Sequence, residues 1–109
     1  MSTPAGRPPD PPLAGCRLDL VGLRAQRERY RRLGRHIERI ERLPQRLEAH
    51  FTADLDATLL DETLAIERAC CPFFTLAYDA TRRELAITVQ DPTQDPALDA
   101  LQHALTDSP

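Results

Sequence analysis

The sequence predicts a small α+β domain in which a long N-terminal amphipathic helix precedes a β-α-β-β-α unit. Apolar residues recur at helical spacing in three segments, whereas three shorter segments alternate between apolar and polar residues as strands do. Pro44, Pro72 and Pro96 separate these segments, at positions where proline ends or begins a helix. We therefore expect a three-stranded sheet with the helices packed on one side.

The first sixteen residues are expected to form a disordered arm. Five prolines and two glycines fall within residues 1–16, and this composition favours extended backbone without a packed core. Residues 17–109 then form a single domain, because about ninety residues suffice for one hydrophobic core and no more.

The first helix is predicted over residues 19–43. Its apolar positions are spaced by three, four or seven residues, as one buried stripe requires: Leu23, Tyr30, Leu33, Ile37 and Ile40. Pro44 ends the helix in this interpretation. Most of the arginines lie off the stripe on a solvated face, and the stripe suits a helical hairpin or a dimer seam. A homodimer is expected because it would help so small a core.

Residues 46–106 are predicted to form the β-α-β-β-α core. The first strand alternates apolar residues with polar ones, and its apolar residues are Leu47, Ala49 and Phe51. A helix capped by Thr52 or Asp54 follows and runs through to Cys70.

Two further strands and a last helix complete this unit. Residues 73–78 and 84–90 alternate as a hairpin. Asp95 and Pro96 are typical of a helix start, with a capping carboxylate and a proline at the first helical position. The stripe expected to be buried on this last helix consists of Leu98, Leu101 and Leu105.

Charge is divided unevenly along the chain, whose formal net charge is −3. All fourteen basic residues are arginine, and residues 17–47 hold ten of them against four acids, whereas residues 48–109 hold twelve acids against three arginines. The basic block could bind nucleic acid, but it can equally attract the acidic block within one chain or between two. We favour the attraction between blocks, so nucleic acid is not an expected partner.

The sequence favours a cytoplasmic protein. No apolar run approaches the roughly 20 residues of a membrane span, and the first twelve residues lack the apolar centre of a signal peptide. Three cysteines cannot all pair within one chain, and a reducing cytosol would keep them as thiols.

The most distinctive chemical feature is the pair Cys70 and Cys71 at the predicted end of a helix. Glu67 shares their helix face, while Pro72 pushes Cys71 toward extended backbone so that the two thiols diverge. A disulfide within the pair would be strained, because neighbouring Cα atoms lie about 3.8 Å apart and disulfides need roughly 4.4–6.8 Å. A nucleophilic role is also disfavoured, because the negative end of the helix and Glu67 both oppose a thiolate.

A soft metal ion would favour the thiolate in spite of the helix end and Glu67, because a bound cation deprotonates its thiol ligands. We therefore predict Cys70, Cys71 and Glu67 as ligands of a thiophilic ion such as mercury(II), copper(I) or zinc(II). The adjacent spacing is not that of a structural zinc site. The alternative is that cysteine acts as a small apolar residue, and this is the favoured interpretation for Cys70 alone.

Residues 46–89 resemble a family of small, mostly uncharacterised bacterial proteins with a strand, a helix ending in Glu-x-x-Cys-Cys-Pro/Ser-Phe-Phe/Leu, and a hairpin. The residues that carry the resemblance are Leu47, Phe51, Leu60, Leu64, Glu67, Cys70, Cys71, Pro72, Phe73, Phe74, Leu85, Ile87 and Val89. Members of that family occur beside or fused behind mercury-resistance-type (MerR-like) regulators. The resemblance therefore implies a heavy-metal or thiol-stress context, with Glu67, Cys70 and Cys71 as the candidate site and no catalytic role.

These observations predict a small protein that binds a thiophilic metal ion or a thiol-reactive ligand through its vicinal cysteines, with Glu67 assisting. The alternative is a regulatory or protein-interaction module that dimerises through the arginine-rich helix and merely buries its cysteines. An enzyme with Cys71 as nucleophile is disfavoured, because no paired base is evident.

Overall fold

The protein folds into three α-helices and a four-stranded antiparallel sheet, seen in a computed structural model that describes residues 18–106. The predicted arm, residues 1–16, lies outside the described residues. In chain order the elements are α1 (Leu20–Gly34), β1 (Ile37–Leu43), β2 (Arg46–Phe51), α2 (Ala57–Cys70), β3 (Thr75–Asp79), β4 (Glu84–Thr88), a short 3₁₀ helix (Pro92–Gln94) and α3 (Asp95–Thr106).

The prediction of a long first helix over residues 19–43 and a three-stranded sheet is wrong. Helix α1 has 15 residues and ends at Gly34, and the segment after it is the extra strand β1. A Cβ at Gly34 would lie 1.8 Å from the Leu105 carbonyl oxygen, so glycine is needed where the ends of α1 and α3 meet. The spacing of Ile37 and Ile40 suits a helical stripe, but the segment pairs with β2 through a register shift near Ile37. Pairing with a distant segment has overridden the local pattern.

Pro44 ends β1 rather than a helix, and with Gln45 it forms the tight turn between β1 and β2. Gln45 has a φ of 59°, and a positive φ after a proline is the geometry of a type II turn. Its side-chain Nε2 donates to the carbonyl oxygens of Val89 and Gln90 at 3.2 and 2.9 Å. Its backbone N–H donates to Asp95 Oδ1 at 2.9 Å, so the turn is fixed to the start of α3.

The sheet consists of two hairpins that meet at their second strands, in the order β1-β2-β4-β3. Leu47 pairs with Ile87 and Ala49 with Leu85, so the apolar residues of both central strands share one face. The alternation predicted for these strands is confirmed, because Leu47, Ala49, Phe51, Leu85, Ile87 and Val89 are all buried. The stripe predicted for the last helix is also confirmed, because Leu98, Leu101 and Leu105 are buried.

Helix α2 begins two to four residues later than the predicted caps indicate. Asp56 caps it by accepting a hydrogen bond from the Leu59 N–H at 3.1 Å, so the predicted caps, Thr52 and Asp54, lie outside the helix. Thr52 Oγ1 instead donates to Asp54, whose carboxylate also contacts His36 Nδ1 at 3.3 Å. These two hydrogen bonds, the one from Thr52 first, lower the pKa of Asp54.

Helices α2 and α3 pack against the sheet, and α1 packs against both α2 and α3. The stripe predicted for the first helix is partly confirmed, because Tyr30 and Leu33 are buried within the chain. The side chains of Arg46, Glu48 and His50 point to the other face of the sheet. No helix within residues 18–106 has the length and apolar character needed to cross a membrane.

Candidate ligand site between the three helices

Cys70 and Cys71 lie at the end of α2 in different environments. Cys70 is the last helical residue and is half-buried, whereas Cys71 caps the helix and is only 2% exposed. Cys71 has φ and ψ of −129° and 75°, which leaves helical geometry as Pro72 predicts. Cys70 packs against the edge of the hydrophobic core, as the sequence indicates, and the change of backbone direction carries Cys71 fully into that core. Neither cysteine is in a disulfide.

Glu67 is a buried carboxylate one helical turn before Cys71. Its side chain is 2% exposed, and its backbone carbonyl accepts the Cys71 N–H at 2.8 Å. Its Oε1 accepts two hydrogen bonds from α1, from Gln26 Nε2 at 2.9 Å and from the Tyr30 hydroxyl at 2.8 Å. These donors orient the carboxylate and offset part of the cost of removing it from water.

Gln26 connects α1 to this carboxylate with all of its side-chain polar atoms engaged. Its Nε2 donates to the Thr63 carbonyl at 3.0 Å as well as to Glu67, and its Oε1 accepts from Arg29 at 3.0 Å. Sequence patterns predict Tyr30 as a core residue only, and they do not single out Gln26. One feature of the sequence could have indicated Gln26. It precedes Tyr30 by four residues, so it lies on the helix face that is expected to be buried.

A cavity lies between the three helices and reaches this polar cluster. Its volume is about 30 Å³, which is room for about two water molecules, and it is partly open to solvent. Its polar lining comes from α1 and the end of α2, and its apolar lining comes mainly from α1 and α3. The lining residues are Leu18, Leu23, Gln26, Arg27, Tyr30, Glu67, Cys71, Ala100, Leu101 and Ala104.

The second carboxylate oxygen of Glu67 receives no hydrogen bond from the part of the chain that the structure describes. Both hydrogen bonds to the side chain end on Oε1, and none within residues 18–106 ends on Oε2. A buried polar atom of this kind needs water, a proton or a ligand, because leaving it unsatisfied is costly. Glu67 lines the cavity, so the space that could hold such a partner adjoins it.

The structure brings two of the three predicted site residues to one cavity. Glu67 and Cys71 line it, and among the described residues Cys70 does not. The ligand atoms of Glu67, Cys70 and Cys71 also do not form a set that lies within 4.8 Å of one another. The vicinal pair is therefore not arranged, within residues 18–106, as two sulfur ligands converging with Glu67 on one centre.

A different group of potential metal ligands, on the opposite face of the sheet, does have its ligand atoms this close together. The ligand atoms of Glu48, His50 and Glu84 lie within 4.8 Å of one another, the one such group in the described part of the chain. Arg46 Nε contacts Glu48 at 2.5 Å, and Arg39 contacts both ring nitrogens of His50 at 3.2 and 3.4 Å. Since arginines already occupy the cluster, we assign it to holding β1, β2 and β4 together.

Comparison with family models, with curated proteins and with solved structures finds no match for this chain. The resemblance of residues 46–89 to the Cys-Cys-Pro-Phe family thus remains a prediction.

Proposed function

We propose that this protein binds a thiophilic metal ion or a thiol-reactive ligand through Cys71, in the cavity between the three helices, with Glu67 assisting. The observation that carries the proposal is that Cys71 and Glu67, each 2% exposed, line the same cavity. Cys71 replaces the vicinal pair of the sequence-based hypothesis as the point of attachment.

The chemistry of the two groups suits a soft ligand. A thiolate selects soft ions, and the bound cation supplies the positive charge that removes the thiol proton. Glu67 Oε2 is a carboxylate oxygen that receives no donor from residues 18–106, and it can neutralise the charge that such an ion brings. Mercury(II) and copper(I) accept few ligands, whereas zinc(II) in a protein generally takes four. Two donors at the cavity therefore favour mercury(II) or copper(I) over zinc(II).

The surroundings of the two groups favour binding over turnover. Gln26 and Tyr30 fix Glu67 through Oε1, so the carboxylate is held in one orientation. A reducing compartment such as the cytoplasm would keep Cys71 as a thiol.

Native mass spectrometry of single-cysteine variants tests this proposal. In a Cys16→Ser background, the protein is treated with one equivalent of mercury(II) chloride and exchanged against a weak competing thiol. Cys70→Ser is the matched control and is expected to retain the ion, whereas Cys71→Ser is expected to lose it. Equal retention by the Cys71→Ser variant contradicts the proposal.

A second candidate, an interaction module that forms a homodimer, is supported by the exposed side of α1. Arg24, Arg32 and Arg35 are exposed there, and none of them makes an ion pair within the described residues. Such arginines could attract the acidic half of a second copy. The apolar stripe of α1 is less suited to a dimer seam, because Tyr30 and Leu33 are buried within the chain.

Light scattering after gel filtration tests the dimer. We expect a dimeric mass that becomes monomeric in the double variant Arg24→Glu and Arg35→Glu. A monomeric mass for the parent protein at all concentrations contradicts this second candidate.

A further inference from the structure

We propose that the outer edge of β3 is the surface through which this protein pairs with a second copy of itself, so that two four-stranded sheets join into one. In this dimer Arg68 of each copy forms an ion pair with Asp61 of the other. The proposal goes beyond ligand binding at Cys71 and does not depend on it. It also places the contact of a homodimer on a different surface from the exposed arginines of α1.

The sheet has two edge strands, β1 and β3, and they differ in charge. Strand β1 has the sequence IERIERL, in which every third position alone is uncharged until the last residue, and its register shifts near Ile37. Charges and irregular register both hinder pairing with another strand. Strand β3 contains one charged residue, Asp79, no proline and no shift of register. Of the two edges, β3 is therefore the one suited to pairing.

The hydrogen bonds of β4 show which groups of β3 point outward. Val89 N–H donates toward β2, to the Gln45 carbonyl at 3.1 Å. Alternate residues of an antiparallel strand bond to opposite sides, so even-numbered residues of β4 bond to the odd-numbered residues of β3 opposite them. The backbone groups of Leu76 and Tyr78 therefore point away from the sheet. In agreement, the Leu76 carbonyl accepts a hydrogen bond from the Arg68 side chain at 3.1 Å.

This edge is complementary to itself in an antiparallel arrangement. A two-fold axis at Ala77 places Leu76 of one copy opposite Tyr78 of the other, and the backbones of each such pair can exchange hydrogen bonds in both directions. The two side chains of the pair lie on the helix side of the sheet, where a leucine and an aromatic residue can pack. On the exposed side, Thr75 meets Asp79 and the two Ala77 residues meet each other, so no like charges are opposed.

Two opposite charges on α2 lie near this edge. Arg68 reaches the Leu76 carbonyl. Burial raises the pKa of Tyr78 and the charge of Asp61 adds to this effect, which places Asp61 near Tyr78. Neither Arg68 nor Asp61 belongs to an ion pair within residues 18–106. They lie about two helical turns apart on one exposed face of α2, with the small residue Ala65 between them.

The same two-fold axis brings these charges together. Because Arg68 lies near Leu76 and Asp61 near Tyr78, pairing of Leu76 with Tyr78 of the second copy sets Arg68 opposite Asp61 of that copy. The two α2 helices then run along the same side of the joined sheet. Arg68 exchanges the Leu76 carbonyl, which the backbone of the second copy now occupies, for a carboxylate. Charge complementarity therefore favours a second copy of this chain as the partner.

An exchange of charge between the two positions tests this interface. The full chain is studied by sedimentation equilibrium over a series of concentrations, and the parent protein is expected to dimerise. Arg68→Glu alone and Asp61→Arg alone should each raise the dimer Kd by about tenfold, because each brings like charges together at both ends of the interface. The double variant Arg68→Glu and Asp61→Arg restores opposite charges and should return the Kd to within about threefold of the parent.

A substitution at the axis tests the register. Ala77→Lys should raise the dimer Kd by at least about tenfold, because it sets two lysines directly opposite each other. Glu41→Arg, on the other edge strand, is the control and should leave the Kd unchanged. All four positions are exposed, so the substitutions leave the core of each copy intact.

Three results would overturn the proposal: a parent protein that stays monomeric throughout the series, a dimer that Ala77→Lys leaves intact, or a double charge variant as weak as the single variants. A dimer that dissociates in the double variant Arg24→Glu and Arg35→Glu but not in Ala77→Lys places the contact on α1 instead. Retention of mercury(II) at Cys71 involves none of these residues, so the failure of this interface leaves the proposed function standing.

Discussion

The hydroxyl of Tyr30 donates a hydrogen bond to Oε1 of Glu67 at 2.8 Å, which joins α1 to α2 across 37 residues of sequence. Both side chains are buried, with exposed fractions of 1% and 2%. The bond stabilises the packing of the two helices and at the same time leaves Oε2 as the oxygen available to a ligand.

Removing this hydroxyl should destabilise the fold. We expect Tyr30→Phe to lower the free energy of unfolding by about 1–3 kcal/mol, because the carboxylate loses one of the two donors that residues 18–106 provide while it stays buried. Urea denaturation at neutral pH measures the change. Tyr78→Phe is the matched control, since the Tyr78 hydroxyl makes no hydrogen bond within the described residues, and its effect should stay below about 0.5 kcal/mol. Equal effects of the two substitutions would show that the contact with Glu67 contributes nothing.

The close approach of α1 to α3 gives a second prediction. Gly34→Ala should lower the free energy of unfolding by about 2–4 kcal/mol, because its Cβ would lie 1.8 Å from the backbone oxygen of Leu105 and the helices must separate. Thermal and urea denaturation measure this loss.

Gly22→Ala provides the comparison for that prediction. Its Cβ would meet flexible side-chain atoms of Leu18 and Asp19 at 3.1 and 3.2 Å, so the change should stay within about 1 kcal/mol of the parent. A Gly34→Ala variant as stable as Gly22→Ala would contradict the contact between the helix ends.

Tyr78 gives the fold a dependence on alkaline pH. Burial raises the pKa of Tyr78 above its ordinary value of 10.0, Asp61 and Asp79 add to the effect, and Arg83 opposes it. The folded state therefore keeps this proton at a pH where the unfolded state has lost it, so stability falls as the pH rises above about 10 and is unaffected by this group below that pH.

Urea denaturation at several pH values between about 9 and 11, one unit either side of the ordinary tyrosine pKa, measures this dependence. In Tyr78→Phe the loss of stability above pH 10 should be shallower than in the parent. The same slope in both proteins would show that Tyr78 does not titrate differently in the two states.

Much of the fold follows from local periodicity. The wrong prediction, that the first helix continues through residues 37–43, has a physical cause. The alternation in β2 and β4 and the stripe of α3 predict burial correctly, because each segment has one period and one apolar face. Residues 37–43 contain two isoleucines three apart, which fit a helical stripe and a bulged strand equally well. Only their pairing with residues 46–51 decides between the two, and local spacing carries no information about that pairing.

The site was predictable only where its residues are close in sequence. Glu67 and Cys71 are four apart, so helical geometry alone places them on one face. Gln26 and Tyr30 reach Glu67 across 41 and 37 residues, and such contacts arise from the packing of α1 on α2. Which of the two cysteines is buried depends on the backbone at the end of α2. A change of conformation at this single residue position decides whether the side chain points toward the core.

The central claim, that Cys71 and Glu67 rather than the vicinal cysteines hold a soft ligand, is tested most directly by X-ray absorption spectroscopy of bound mercury(II). The sample is the Cys16→Ser protein with Cys70 and Cys71 intact and no more than one equivalent of the ion. The account predicts one sulfur neighbour and at least one oxygen neighbour, with the oxygen contribution lost in Glu67→Gln. Two sulfur neighbours and no oxygen would contradict it.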